Sequence, residues 1–127
     1  MKKTILLVSL ILISLLTACT RQVGWVGLNY LNSIDVSYQL FDGKKVERIQ
    51  VGAGDNFTLD YDVEVDDGAL RLELVDPDRK VVWEASFLED NEDAMSFQAE
   101  KSGRYTLRID GDQTKGGFEL RWETMDQ

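Results

Sequence analysis

From Ile34 onward, apolar residues recur at every second position in one run after another. Ile34, Val36, Tyr38 and Leu40 alternate with Asp35, Ser37 and Gln39; Phe57, Leu59, Tyr61, Val63 and Val65 alternate with Thr58, Asp60, Asp62 and Glu64. The same period returns at residues 70–74, 81–87, 95–99, 105–109 and 118–122, with a less regular stretch at 44–51. Successive side chains of a strand point to opposite faces, so period two marks strands with one buried face, whereas a helix repeats every three to four residues. Turn formers separate the runs: Asp42-Gly43, Gly52-Ala53-Gly54-Asp55, Asp67-Gly68, Asp76-Pro77-Asp78, Ser102-Gly103, Asp110-Gly111 and Gly116-Gly117. Gly and Asp tolerate positive φ, and Pro presets a turn. About eight short strands without an amphipathic helix predict an all-β domain, an antiparallel β-sandwich of jelly-roll type.

One of these signals predicts a register. A two-residue turn at Asp67-Gly68 makes a hairpin in which Val65 faces Leu70, Val63 faces Leu72 and Tyr61 faces Leu74. On its outer side Glu64 then lies opposite Arg71, and Asp62 opposite Glu73.

Ahead of the alternating region the pattern is different. Lys2 and Lys3 precede an apolar stretch, residues 5–16, interrupted only by Ser9 and Ser14, and Thr17, Ala18 and Cys19 follow. A positive start, a short apolar segment and a small residue at the end are the parts of a secretory signal peptide. Twelve residues make roughly 18 Å of helix against about 30 Å of hydrocarbon, too little to span comfortably. Leu16, Thr17, Ala18 and Cys19 resemble the lipobox of bacterial lipoproteins, whose Cys becomes the mature N-terminus. The resemblance implies cleavage after Ala18 and a diacylglyceryl thioether on Cys19, with the protein lipid-anchored on the extracytoplasmic side of a cell or outer membrane. The chain then divides into a signal peptide at 1–18, a lipidated Cys with a tether or first edge strand at 19–32, and a sandwich at 33–127. Residues 20–32 leave both choices open: Trp25, Val26, Leu28, Tyr30 and Leu31 suit either a membrane-interface belt or a packed strand.

Composition narrows the chemistry. The 127 residues hold no His and one Cys, which excludes His-based triads, His-ligated metals, internal disulfides and CxxC sites. Removal of residues 1–18 leaves 109 residues with 12 Lys plus Arg against 23 Asp plus Glu, a balance of −11. Such a chain is no electrostatic nucleic-acid binder, and anionic headgroups repel it, so the lipid and not charge must hold it to a membrane.

The sharpest acidic constellation is the outer stripe Asp60, Asp62 and Glu64, with Glu73 across from it. Alternate strand residues lie about 6.8 Å apart, within the roughly 6.5–9.5 Å separation of inverting glycosidase carboxylates. Nothing in the sequence buries one of them to raise its pKa, so a solvated face with Arg71 or Arg108 reaching over it is expected, with cation binding and a carboxylate-dependent hydrolase as the alternatives. Asp76 with Asp78, and Asp110 with Asp112, offer partial Ca²⁺ shells without EF-hand spacing; Asp76-Pro77-Asp78 reads as an Asp-capped turn. No metal or cofactor is expected. The run Glu89-Asp90-Asn91-Glu92-Asp93 reads as a solvated loop.

Residues 69–110 resemble the GOLD domain, the β-sandwich of emp24-type cargo-transport proteins. The matching features are the strand at 70–75, the turn Asp76-Pro77-Asp78, the strand at 81–83, and the corner Phe97, Ala99, Glu100, Lys101, Ser102, Gly103, Tyr105 and Leu107. Bacterial pre-peptidase C-terminal sandwiches have a similar layout. The resemblance implies a non-catalytic binding module with an envelope protein or glycan as partner, and it supplies no catalytic residue. A structural or stress-related lipoprotein is the remaining alternative.

Overall fold

The computed structural model describes residues 20–126. Its strands are β1 (Arg21–Val23), β2 (Val26–Asn29), β3 (Ser33–Val51), β4 (Asn56–Val75), β5 (Val81–Phe87), β6 (Asn91–Gln98) and β7 (Gly103–Met125). All eight alternating runs form strands, but six of them are joined in pairs: the runs before and after Asp42-Gly43 are both β3, those around Asp67-Gly68 are both β4, and those around Asp110–Gly117 are both β7.

β7 pairs antiparallel with β3 on one side and β4 on the other along nearly its whole length. The register slips at the same level in both pairings, between Tyr38 and Gly43 in β3 and between Val65 and Ala69 in β4. A bulge bends its strand and increases local twist. The aligned bends fold the sheet over on itself into a sandwich. In the first layer β2, the first half of β3, the second half of β7, the first half of β4 and β6 lie side by side; in the second, the second half of β3, the first half of β7, the second half of β4 and β5 do. Leaving out the edge strands β1 and β2, each layer has four strands, with the interleaved order of a jelly roll.

The hairpin at Asp67-Gly68 is therefore corrected: β4 runs straight through it, Val65 lies opposite Gly116, and Leu70 lies between Gly111 and Phe87. Asp42-Gly43, Asp110-Gly111 and Gly116-Gly117 are likewise inside strands. A bulge needs positive φ as much as a turn does, so the residue signal is shared. The outcome is set by β7, whose 23 residues give both halves of β4 a continuous partner and leave them no need to pair with each other. Chain reversals do occur at Gly52–Asp55, where the Asp55 N–H donates to the Gly52 carbonyl at 3.1 Å, and at Asp76–Lys80, where the Asp76 N–H donates to the Lys80 carbonyl at 2.8 Å.

The inward faces of β3 to β7 meet in one core that includes Leu59, Val63, Leu72, Leu74, Leu107 and Leu120. Residues 21–29 belong to the sandwich as an edge strand interrupted at Gly24-Trp25, paired with β3 from Asp42 back to Ile34. Trp25 stacks on Tyr38 at 5.6 Å and meets Phe41 edge-on at 5.3 Å, which pins this edge to the core. β6 starts at Asn91, so Glu92 and Asp93 are strand residues and not part of a loop. Hydrogen bonding to β4, and not burial, defines that part of the strand, which alternation of apolar residues cannot reveal.

Candidate functional site

Residues directly opposite one another on paired strands share a face. On the outer face of the first layer Asp62 lies opposite both Glu119 of β7 and Glu92 of β6, Glu119 lies opposite Asp35 of β3, and Asp35 opposite Leu28 of β2. Four carboxylate residues thus stand abreast on four neighbouring strands, which are spaced about 4.8 Å apart. Asp60 lies in the adjoining row beside Arg121, whose guanidinium is 3.8 Å from Glu119, and Glu64 lies on the other side opposite Gly117. Two open depressions of about 610 and 250 Å³ share Asp62 and Glu119. At the margin of the larger one the Tyr61 phenol is pushed above its ordinary pKa by burial and, secondarily, by the charge of Asp93.

Three like-charged pairs directly opposite one another destabilise the sheet by roughly 0.2–1 kcal/mol each. Glu119 takes part in two of them, against Asp35 and Asp62. Glu119→Gln is expected to stabilise the protein by about 0.5–1 kcal/mol, because the exposed pair with Arg121 that is lost contributes little. Thermal melts at low salt and at about 1 M salt check this: the gain should shrink at high salt, where the Debye length falls to about 3 Å. A destabilised variant would overturn the repulsive reading of the row.

Glu73 is not part of this face. It lies in the other layer, buried, with its carboxylate held by Arg71 at 2.7 Å and Arg108 at 3.3 Å. Without the hairpin, nothing brings it opposite Asp62; its neighbours across the sheet are Glu84 and Arg108. Arg71 also bonds Glu84 at 2.6 Å, and that bond, followed by the charge of Glu73, raises its pKa. The cation of the acidic face is therefore Arg121, and Asp60, Asp62 and Glu73 do not converge on a common cleft. Asp35, Glu92 and Glu119, which do join the face, are unmarked in the sequence: each is an outward residue of its own strand, and only the pairing sets them abreast.

The Asp76 carboxylate accepts the N–H groups of Asp78 at 2.9 Å and Lys80 at 2.8 Å, the geometry of a capped turn. Asp78 is ion-paired with Lys101, and their hydrogen bond raises the Lys101 pKa. Asp110 stands between Lys44 and Arg71 on the second layer, and exposed Asp112 lies opposite Ala69. Among the described residues no group of His, Cys, Asp or Glu is arranged to hold a metal ion. Leu16, Thr17, Ala18 and Cys19 lie outside the described residues.

Two further surfaces stand out. Val26, Leu28 and Tyr30 are 59–70% exposed and Leu31 is fully exposed, an apolar row along the edge strand and the turn after it. On the outer face of the second layer, Arg48, Arg79, Arg104 and Arg108 surround a groove of about 570 Å³ that also touches Val46 and Val81. Sequence reasoning missed this groove because its arginines come from three separate segments; no basic run marks it.

No family model matches the chain, and no curated protein does. Solved structures with a similar layout include a family 61 carbohydrate-binding module in complex with β-1,4-galactotriose, with 12% identity and a TM-score of 0.48 over 87% of this chain and 90% of that one. A family 4 carbohydrate-binding module shows 6% identity and a TM-score of 0.47 over 83% and 79%. A glycosylation-associated protein complex from Streptococcus agalactiae shows 17% identity and a TM-score of 0.45, over 84% of this chain and 24% of that one. The likeness is one of strand layout, and it assigns this chain no ligand.

Proposed function

We propose that this is a lipid-anchored protein of the bacterial cell envelope, facing the extracytoplasmic side, whose sandwich is a non-catalytic binding module. The observation that carries this reading is the position of the apolar edge. β1 begins at Arg21, two residues after the lipobox Cys19, and the edge strand it opens displays Val26, Leu28, Tyr30 and Leu31. Two extended residues reach about 7 Å, so a diacylglyceryl group on Cys19 holds the start of this edge at the headgroups, where Tyr and aliphatic side chains are accommodated. Two acyl chains anchor stably where a single chain does not, and they offset the repulsion between anionic lipids and a domain of side-chain balance −11. A binding role is further supported by the separation of Glu73 from Asp60 and Asp62, which leaves the carboxylate-hydrolase alternative without its constellation, and by the likeness of residues 69–110 to GOLD and pre-peptidase C-terminal sandwiches. The partners expected are an envelope protein or glycan, and no nucleic acid.

Cys19→Ser is expected to abolish globomycin-sensitive processing and to move the protein out of the lipid-modified membrane fraction. Metabolic labelling with a fatty acid and fractionation check this. Unchanged processing and unchanged labelling of the Ser variant would sink the lipoprotein reading.

A further inference from the structure

The groove on the second layer gathers positive charge that the rest of this acidic chain does not share. Arg48 of β3 lies directly opposite Thr106 of β7, midway between Arg104 and Arg108. Arg104 and Arg108 are about 13 Å apart along their strand, so Arg48 fills the interval and a guanidinium stem recurs about every 7 Å. Arg79 completes the rim from the turn after β4. Its φ of +68° is a conformation L-residues adopt rarely, and the buried Asp76 holds it there: the Arg79 N–H donates to the Asp76 carbonyl at 3.0 Å, and the Asp76 carboxylate accepts the flanking amides of Asp78 and Lys80.

Charge pairing across this groove is incomplete. Arg108 is bonded to Glu73 at 3.3 Å, whereas Arg48, Arg79 and Arg104 form no ion pair among the described residues. Val46 and Val81, each about two-fifths exposed, contribute apolar wall beside the arginines. The acidic row lies on the opposite outer face, beyond two sheets packed about 10 Å apart and their side chains, which exceeds the Debye length of about 8 Å at physiological salt. A compact anion in the groove is therefore screened from that row, and the carboxylates near it are Asp76, which lines the groove with its carboxylate held by backbone amides, and Glu73, which is bonded to Arg108; an extended polyanion or a membrane meets the repulsion of the whole domain.

We propose that this groove binds a phosphate group, as a phosphomonoester or phosphodiester of a compact ligand, between Arg48, Arg79 and Arg104. Guanidinium groups supplied by β3, by β7 and by the turn after β4 can each bond a different oxygen of a phosphate, whereas a planar carboxylate is satisfied by one bidentate arginine. The inference gives the binding module a site and a ligand class. It rests on that reading and is independent of the lipid anchor.

Titration calorimetry of the full chain in neutral detergent tests it, with inorganic pyrophosphate as one probe and a water-soluble short-chain phosphatidylglycerol as the other. Saturable binding of pyrophosphate supports a free phosphate ester as ligand; binding of the short-chain lipid alone supports a lipid headgroup, and both fit the phosphate site. Arg48→Gln and Arg104→Gln should each weaken binding about tenfold or more. Arg121→Gln, on the opposite layer, should leave it unchanged, and the exposure of Arg48 and Arg104 means that melting temperatures should hardly move. Absence of binding to both probes up to about 10 mM, or an equal loss in Arg121→Gln, overturns the proposal. Neither outcome touches the processing of Cys19, so failure of this site and failure of the anchor are read separately.

Discussion

Phe41→Ala is expected to lower the unfolding free energy by about 3–5 kcal/mol, the range for removing a buried aromatic side chain. Phe41 is fully buried at the bend of β3, where it lies opposite Gln22 of β1 and Thr114 of β7. Its ring is 5.3 Å from Trp25, 5.5 Å from Tyr38 and 6.5 Å from Phe118, so one truncation opens a cavity and removes three aromatic contacts. Gly111 shows how closely the ring is seated: a Cβ there would come within 2.6 Å of it. At about 4–8 °C per kcal/mol for a domain of this size, the melting temperature should fall by about 12 °C or more. The near-UV circular dichroism of Trp25 should weaken as well, because the edge strand loses what pins it. Leu31→Ala, at a fully exposed position, serves as the control and should change stability by less than about 0.5 kcal/mol. A loss below about 1 kcal/mol for Phe41→Ala would mean that the bend is not organised around this ring.

Gly116→Ala carries the second large effect, a loss of about 2–4 kcal/mol. Gly116 has φ +132°, and a Cβ would lie 2.0 Å from the carbonyl oxygen of Glu64 and 2.7 Å from its carbonyl carbon. The obstacle is backbone, so relief requires β4 and β7 to separate where their register slips between Val65 and Asp67. Strain of about 1–3 kcal/mol for the unfavourable φ adds to roughly 1 kcal/mol for a disturbed ladder hydrogen bond. Gly54→Ala isolates the strain alone, because Gly54 has φ +86° but nothing within 4 Å of an added Cβ. Urea unfolding of both variants checks the argument. Equal losses would show that the close approach of β4 and β7 contributes nothing.

These two positions lie at the bends, where the residue pattern was readable and its meaning was not. Asp67-Gly68 announces a backbone that accepts positive φ, and Gly68 has φ +75°. The same dipeptide serves a hairpin turn or a bulge, and the choice depended on a partner strand some 40 residues further along the chain. The acidic face was legible to the same degree. Asp60, Asp62 and Glu64 do share the outward side of β4, since alternation along one strand is local. Glu73 was misplaced and Asp35, Glu92 and Glu119 were overlooked because standing abreast is a property of pairing.

By itself the sequence determined that this chain is an antiparallel β-sandwich, where its alternating strand runs from Ile34 onward lie and which side of them is buried. Those features follow from side chains two positions apart, read directly along the chain. Only the tertiary structure decided that three pairs of runs are single bent strands, that Glu73 belongs to the opposite layer from Asp62, that four carboxylates form one row, and that arginines from three segments meet around one groove. The reason is physical: strand pairing is made by backbone hydrogen bonds between distant segments, and every residue except proline carries the same donor and acceptor.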